Sequence, residues 1–337
     1  GTEMRYRDAF NNTLRAELEY DKNVLIIGED ISGGFDKKTK EPLDAWGGPF
    51  AATKGLVQDF GTERIMDAPI SEAGFVGAAI GAALTGLRPV VDLMYFDFTT
   101  VAFDQLLSNA AKSRYMFGGQ TKVPLTLFAR SGGGTGHAAQ HSSAFYSILA
   151  HIPGLKVVTP TDPYSVKGLL SAAIRDDDPV FVVNDKKLIN MTGFVPDENY
   201  QIELGKGRCL REGSDITLVG MSYTTVVCQE AADKLEKIGV DAEVIDLLSL
   251  SPLDEDIIIE SVKKTNRIVI VDEDNPKASI ASEVAAIVSD KAFDYLDAPV
   301  KRVTAPHTPV PYSKELENEF MPDSDDVLQT VKNILDI

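Results

Sequence analysis

Two observations predict an α/β fold built on a mainly parallel sheet, followed by a second α/β unit. Short apolar strands alternate with helical patterns through the first half of the chain. After a stretch of mixed character the same alternation restarts. A length of 337 residues, 44% hydrophobic and 25% charged, suits two such domains, each with a full core.

Apolar residues at helical spacing predict a helix over about Arg5 to Tyr20, which leads into the apolar strand Asn23 to Ile27. Glycine and proline crowd Gly33 to Gly48 around Lys37-Lys38-Thr39-Lys40, which reads as a long surface loop with Trp46 placed to pin it. A small-residue helix follows Glu72, then a strand over Pro89 to Met94 and an amphipathic helix over about Val101 to Met116. Strand Val123 to Phe128 runs into a glycine-rich turn. Strand Leu155 to Val158, helix Pro163 to Arg175 and strand Pro179 to Val183 complete a first domain over 1–190. Residues Lys186 to Gly213 mix charge, proline and a short strand, and a linker is set within them at 191–213. The second domain, 214–337, reads as strand Asp215 to Val219, helix Thr225 to Ile238, strand Asp241 to Ile245, helix Leu253 to Lys263 and strand Arg267 to Val271. A last helix covers Ala281 to Asp290, and Val300 to Pro311 form a strand and a proline-rich turn.

The balance of 33 basic against 51 acidic residues, a net charge of −18, argues against a nucleic-acid surface or an anionic membrane as partner. No apolar stretch approaches membrane-spanning length and no basic leader opens the chain, so a cytoplasmic protein is expected. Cys209 and Cys228 match neither a disulfide framework nor a metal-ligand spacing. Both are expected as buried small hydrophobes. Gly220-Met221-Ser222 is not the dinucleotide fingerprint, which disfavours a Rossmann dehydrogenase.

Three places carry candidate chemistry. Glu72 is the only charged residue between Asp67 and Arg88, among small apolar neighbours. Burial there penalises the charged form of a carboxylate, which is how a protein prepares a proton donor. The alternative is an acid at a helix start, with Ser71 or Asp67 as cap. The second place is the run Ser131 to Ser143, whose glycines at 132, 133, 134 and 136 permit unusual torsions and close approach to a ligand. Two of the four histidines, His137 and His141, follow at once. On a helix their spacing puts both rings on one face, as in zinc sites, although no acidic third ligand accompanies them. Structural roles, one histidine capping and the other packed, remain open. The third place is Tyr95-Phe96-Asp97-Phe98, just past a strand end, where an aromatic can stack on a planar ligand or simply join the core.

In this order, Pro69-Ile70-Ser71-Glu72, Gly86-Leu87-Arg88-Pro89, Arg114-Tyr115-Met116-Phe117-Gly118-Gly119, Ala139-Gln140-His141-Ser142 and His151-Ile152-Pro153-Gly154-Leu155 resemble one family along essentially the whole chain. It is the transketolase-like β subunit of the thiamin-diphosphate-dependent first component of 2-oxo acid dehydrogenase complexes. Asp44-Ala45-Trp46-Gly47-Gly48, Asp272-Glu273-Asp274-Asn275-Pro276 and Ala305-Pro306-His307-Thr308-Pro309 look most like its acetoin dehydrogenase branch. The resemblance implies an N-terminal pyrimidine-binding domain and a C-terminal transketolase-type domain. It implies that Glu72 bonds a ring nitrogen of the cofactor's aminopyrimidine, that Phe98 stacks on that ring, and that His141 assists proton transfer and passage of the acyl unit to a lipoyl group. Glu29 and His137 are further site candidates, and His307 is placed near the entrance.

Diphosphate and magnesium are held in the family by a Gly-Asp-Gly motif on the α subunit, and no such motif occurs in these 337 residues. The chain is therefore expected to carry half a site, completed in an α2β2 heterotetramer and working with a lipoyl-bearing acyltransferase core. Leu125, Ala173, Asp176 and Asp178 resemble a structural potassium site, with an acidic surface turn as the alternative. Departures stand at Ser143, where glutamine is usual, and at Asn184, where glutamate is common; they bear on which ketone or 2-oxo acid is the substrate. The runner-up activity is a pyruvate or branched-chain 2-oxo acid dehydrogenase. A non-catalytic assembly or regulatory partner is the reading from a different class.

Overall fold

A computed structural model describes residues 1–32 and 46–337. The loop expected over Gly33 to Gly48, which Trp46 was placed to pin, lies mostly outside the described residues, and Trp46 itself is exposed. The first domain holds β1 (Thr2–Arg5), α1 (Tyr6–Tyr20), β2 (Val24–Gly28), α2 (Leu56–Phe60), β3 (Ile65–Asp67), α3 (Glu72–Leu84), β4 (Arg88–Tyr95), α4 (Ser113–Met116), β5 (Thr126–Ser131), α5 (Ser147–Ala150), β6 (Lys156–Val158), α6 (Pro163–Arg175) and β7 (Val180–Asp185). Beyond it lie β8 (Thr192–Val195), β9 (Arg208–Arg211), β10 (Ile216–Gly220), α7 (Tyr223–Glu236), β11 (Ala242–Asp246), β12 (Ser249–Ser251), α8 (Glu255–Thr265), β13 (Ile268–Asp272), α9 (Ile280–Lys291), β14 (Lys301–Thr304), α10 (Lys314–Phe320) and α11 (Ser324–Leu335).

A seven-stranded sheet runs β12-β6-β7-β5-β4-β2-β3, parallel throughout except for β12. A five-stranded sheet runs β14-β13-β10-β11-β9, with β9 antiparallel at its edge. The stretch 191–213 contributes β8, which pairs with β1, and β9. One apolar core spans both halves, joining Phe96, Leu127 and Phe181 to Val219, Ile245, Ile270 and Val284.

Local chemistry explains where the expected boundaries match. α6 starts at Pro163 because Asp162 and Ser165 form a reciprocal capping box and proline needs no amide at the first position. The single helix expected over Val101 to Met116 is instead broken into a π turn Gln105–Ala110 and α4, and a 3₁₀ turn Phe96–Thr100 precedes them. Ser113 Oγ donates to the Asn109 carbonyl at 2.6 Å and Asn109 bonds Gln105, so side chains compete with the helical ladder. The chain does not end its helices at Asp290. α10 and α11 follow, capped by Ser313 and Asp323, with Val327 and Val331 buried against α7 residues. Cys228 is buried as expected, but Cys209 is exposed, because it sits on the edge strand β9.

Candidate active site

The carboxyl ends of β2, β3, β4, β5 and β7 share one edge of the first sheet, where parallel-sheet proteins gather their chemistry. Gly28 at the end of β2 lies opposite Asp67 of β3 and Asp92 of β4. A side chain at Gly28 would come within 2.9 Å of Asp92 Cβ, so only glycine lets these strands close up. The next residue is Glu29. Glu29, Glu72 and Asp92 are all buried. Burial, and then the neighbouring Glu72, push the Glu29 carboxyl up to about 7. Burial pushes Asp92 up to about 6 against the pull of Arg130. The carboxylate that is isolated in sequence therefore has a carboxyl partner in space.

Glu72 is the first residue of α3, and Ser71 before it makes no capping bond. Asp67 does not cap the helix either: its carboxylate accepts from the Ser32 amide at 2.9 Å and from the Ser32 hydroxyl. Glu29 Oε1 is buried with no hydrogen-bond partner among the described residues. A buried polar atom without a partner is a cost that a ligand can relieve. Two buried carboxyls, one inclined to hold its proton near neutrality, are suited to place a proton on a ligand. This donor set fits a planar ring that brings its own nitrogen and N–H groups.

Beside the acids, β4 breaks register with β5 between Asp92 and Tyr95, Met94 takes a φ of 55°, and its amide donates to Asp92 Oδ1 at 2.8 Å. The irregularity re-aims the residues that follow. Phe96 goes into the core against Phe145 and Phe181, whereas Tyr95 and Phe98 stay half-buried with ring centroids 5.7 Å apart. His141 lies 4.5 Å from the Tyr95 ring and 5.4 Å from the Phe98 ring, and His137 lies 5.7 Å from Tyr95. The two histidines are not on a helical face. Ala138 has a φ of 60° and only Ala139–His141 form a 3₁₀ turn. The zinc reading falls with that geometry; among the described residues the only group spaced for a metal is Cys209, Glu212 and Glu243, where Lys264 already pairs with both acids. Burial, Lys186 and His141 together hold His137 below the usual histidine range.

Lys186 and Arg130 belong to the neighbourhood and were not singled out by sequence. Lys186 is buried, donates to the His141 carbonyl and lies 5.7 Å from the Tyr95 ring centroid. Its signal was a lysine directly after an apolar strand end. Arg130 is buried among Phe10, Phe50 and Phe128 with Nε and Nη1 unpartnered among the described residues. Asn184 faces it across the β5–β7 register and accepts from Tyr6 Oη at 2.5 Å, so this position carries no charge to pair with the guanidinium. Ser143 donates to Asp97 Oδ1 at 2.5 Å.

His307 is exposed. It lines a cavity of about 350 Å³ with Ser142, Ser143, Glu273 and Asp274, between the two halves of the chain. Burial and Asp272 push Asp274 up to about 7. Leu125, Ala173, Asp176 and Asp178 gather at another corner, where Val180 N donates to the Leu125 carbonyl and Asp176 N to the Ala173 carbonyl. Their acids are already paired, Asp176 with Lys156 and Asp178 with Arg114, both at 2.6 Å.

Comparison with known proteins adds the lineage. The transketolase pyrimidine-binding domain family matches residues 2–192, and the transketolase C-terminal domain family matches residues 205–327. The β subunit of acetoin:2,6-dichlorophenolindophenol oxidoreductase from Bacillus subtilis (strain 168) is 51% identical, over 97% of this chain and 96% of that protein. The pyruvate dehydrogenase E1 component subunit beta of Rickettsia felis is 40% identical, over 98% of each. A split-gene transketolase solved as an inactive β4 tetramer is 23% identical, covers 99% of this chain and 98% of its own, and has the same fold at a TM-score of 0.76. With both domain families matched and half its residues shared along nearly its whole length, the chain belongs to the transketolase-like family of β subunits in thiamin-diphosphate-dependent dehydrogenases.

Proposed function

We propose that this chain is the β subunit of an α2β2 enzyme that cleaves acetoin, or a related α-hydroxyketone or diketone, and passes the acyl unit to a lipoyl group on an acyltransferase core. The observation that carries the chemistry is the buried pair Glu29 and Glu72, with one carboxyl oxygen unpartnered among the described residues. Similarity at 51% identity to an acetoin oxidoreductase β subunit supports the substrate class. Bound thiamin diphosphate supplies the electron sink for breaking a carbon–carbon bond beside a carbonyl.

Glu72 is the residue to hold a proton at a ring nitrogen of the pyrimidine, and Glu29, inclined to stay protonated near neutral pH, supports it. Phe98 and Tyr95 offer faces for a flat ring. His141 is the group to move a proton at the substrate, with His137 kept neutral beside it by burial and Lys186. Magnesium and diphosphate fall to an α chain, since no Gly-Asp-Gly is present. A second chain also has a surface to cover: Ile70, beside Glu72, is 85% exposed and Val101 is 55% exposed. A structural potassium would use the carbonyls of Leu125 and Ala173, because the carboxylates of Asp176 and Asp178 are already paired. No described helix is long and apolar enough to cross a membrane, which agrees with a cytoplasmic site of action.

The test is dichlorophenolindophenol reduction by the chain assembled with its α partner. Acetoin turnover exceeding pyruvate turnover is the expected result. Turnover of pyruvate without acetoin assigns the chain to the 2-oxo acid branch instead, and full-strength cofactor binding by the isolated chain overturns the half-site.

A further inference from the structure

The glycine-rich run after β5 is wrapped around carboxylates of the chain itself. Gly132, Gly134 and Gly136 have φ values of 92°, 79° and 73°, the left-handed region that side chains resist, so successive amides turn to one side. The amides of Gly134 and Thr135 donate to Glu317 Oε1 at 2.7 and 3.1 Å, and that of Gly136 to Glu317 Oε2 at 3.0 Å. The Gly133 amide donates to Glu273 Oε1 at 2.5 Å. Both acids come from the far end of the sequence, Glu273 just past β13 and Glu317 from α10. Both are buried, at 5% and 3% exposure. Val310 and Met321 pack over Gly133, where a side chain would come within 3.3 and 2.9 Å of them.

What this clamp holds is the segment that carries the histidines. Gly132 N donates to the Ser143 carbonyl at 3.3 Å, closing residues 132–143 into a loop. Inside it, Thr135 Oγ1 bonds His137 Nδ1 at 2.8 Å, and Lys186 bonds the His141 carbonyl. The residue between Gly134 and Gly136 is thus tied to Glu317 through its amide and to His137 through its hydroxyl.

We infer that Glu317 is a positioning residue: its carboxylate, seated in the amides of Gly134, Thr135 and Gly136, sets the loop conformation that presents His137 and His141 to the site. Through it the C-terminal segment controls the geometry of a site built on the other domain. The inference rests on the reading of that site given under Proposed function. A negative charge in an amide nest is a charge-assisted interaction, and a neutral amide of the same shape keeps the packing while losing that term. Glu317 also lies close enough to His137 to favour its protonated form.

The experiment compares Glu317→Gln, Glu317→Asp and the exposed Glu319→Gln on the full chain, and on the complex assembled with its α partner. In Glu317→Gln we expect faster hydrogen exchange at the amides of Gly134, Thr135 and Gly136, and a His137 titration moved further down. In the complex we expect kcat to fall roughly tenfold or more with KM for the ketone little changed, since small misplacements of reacting groups cost rate rather than binding. Glu317→Asp should restore part of the amide protection and part of kcat, and Glu319→Gln should match the parent. Parent-like exchange and titration in folded Glu317→Gln overturn the inference, as does a kcat loss that Asp does not partly restore. Full activity in a Glu72→Gln complex instead defeats the reading of the site, and it leaves the exchange and titration results standing on their own.

Discussion

The carboxyl ends of the two sheets are built alike and treated differently. Past the second sheet, Asp246 accepts from Thr161, Thr225 and Arg208 Nε and Nη2 at 2.9 to 3.0 Å, and Asp272 accepts from Tyr146, the Asp274 amide and the Ala281 amide at 2.5 to 3.0 Å. Past the first sheet, Glu29 Oε1, Thr99 Oγ1, Nε and Nη1 of Arg130, Ser142 Oγ and Thr159 Oγ1 are buried with no partner among the described residues, against Ser222 Oγ alone past the second. Interiors normally satisfy such groups. The same architecture thus serves as a nearly finished scaffold at one edge and as an open chemical wall at the other.

The comparison predicts opposite failures. At the open wall, Glu72→Gln should cut turnover of the assembled enzyme by roughly 10² to 10⁴, the usual share of a positioned acid–base group, with thermal unfolding of the chain near that of the parent. A large loss of folding stability with it would erase the distinction. At the finished edge, Asp246→Ala should cost about 3–5 kcal/mol in urea unfolding, because the half-buried Arg208 loses its main partner, while folded protein keeps its turnover.

A pH series sharpens the contrast. The Glu29 carboxyl is raised from its unfolded value of 4.5 to about 7, so its contribution to stability is full below pH 4.5 and is lost as pH rises through 7. Glu29→Gln should therefore be more stable than the parent above pH 7, and the two should converge in acid once the carboxyl is protonated in both states. Equal slopes between pH 5 and 8 would remove Glu29 from the proton-holding pair. The smallest effect belongs to neither edge. Glu260→Gln breaks only the exposed pair with Lys263, and its melting should change by no more than about 0.5 kcal/mol.

Much of the fold was legible because its signals are local. α6 carries its own start signal in Asp162, Pro163 and Ser165, and the buried strands read as apolar runs whose observed bounds differ by one to three residues from those expected. The stretch from Val101 to Met116 showed its apolar period but not its hydrogen-bond register, because Ser113 and Asn109 decide that register through their side chains. α10 was missed because its acidic face leaves few apolar positions to count, whereas α11 carried a legible signal, the Asp323 cap followed by Val327, Leu328, Val331, Ile334 and Leu335 at helical spacing. In the site, Glu72, Phe98 and His141 stood out by composition and by family resemblance. Glu317 did not, and Glu273 stood only inside the block Asp272 to Pro276 with no role of its own: each is one acid among 51 acidic residues, and only tertiary approach to the amides of residues 133 to 136 makes them distinctive.

Strand β12 takes three residues from the middle of the second half and lays them antiparallel on β6, the outermost parallel strand of the first sheet. A cut in the connecting stretch would therefore not free two bodies, because each would leave with a torn border: one lacking its last strand, the other trailing that strand into water. The molecule should melt in a single calorimetric transition, and proteolytic halves nicked between residues 195 and 207 should travel together through gel filtration until denatured. By topology there are two domains, yet they are sewn along a shared hem, and what is inherited as two modules unfolds as one.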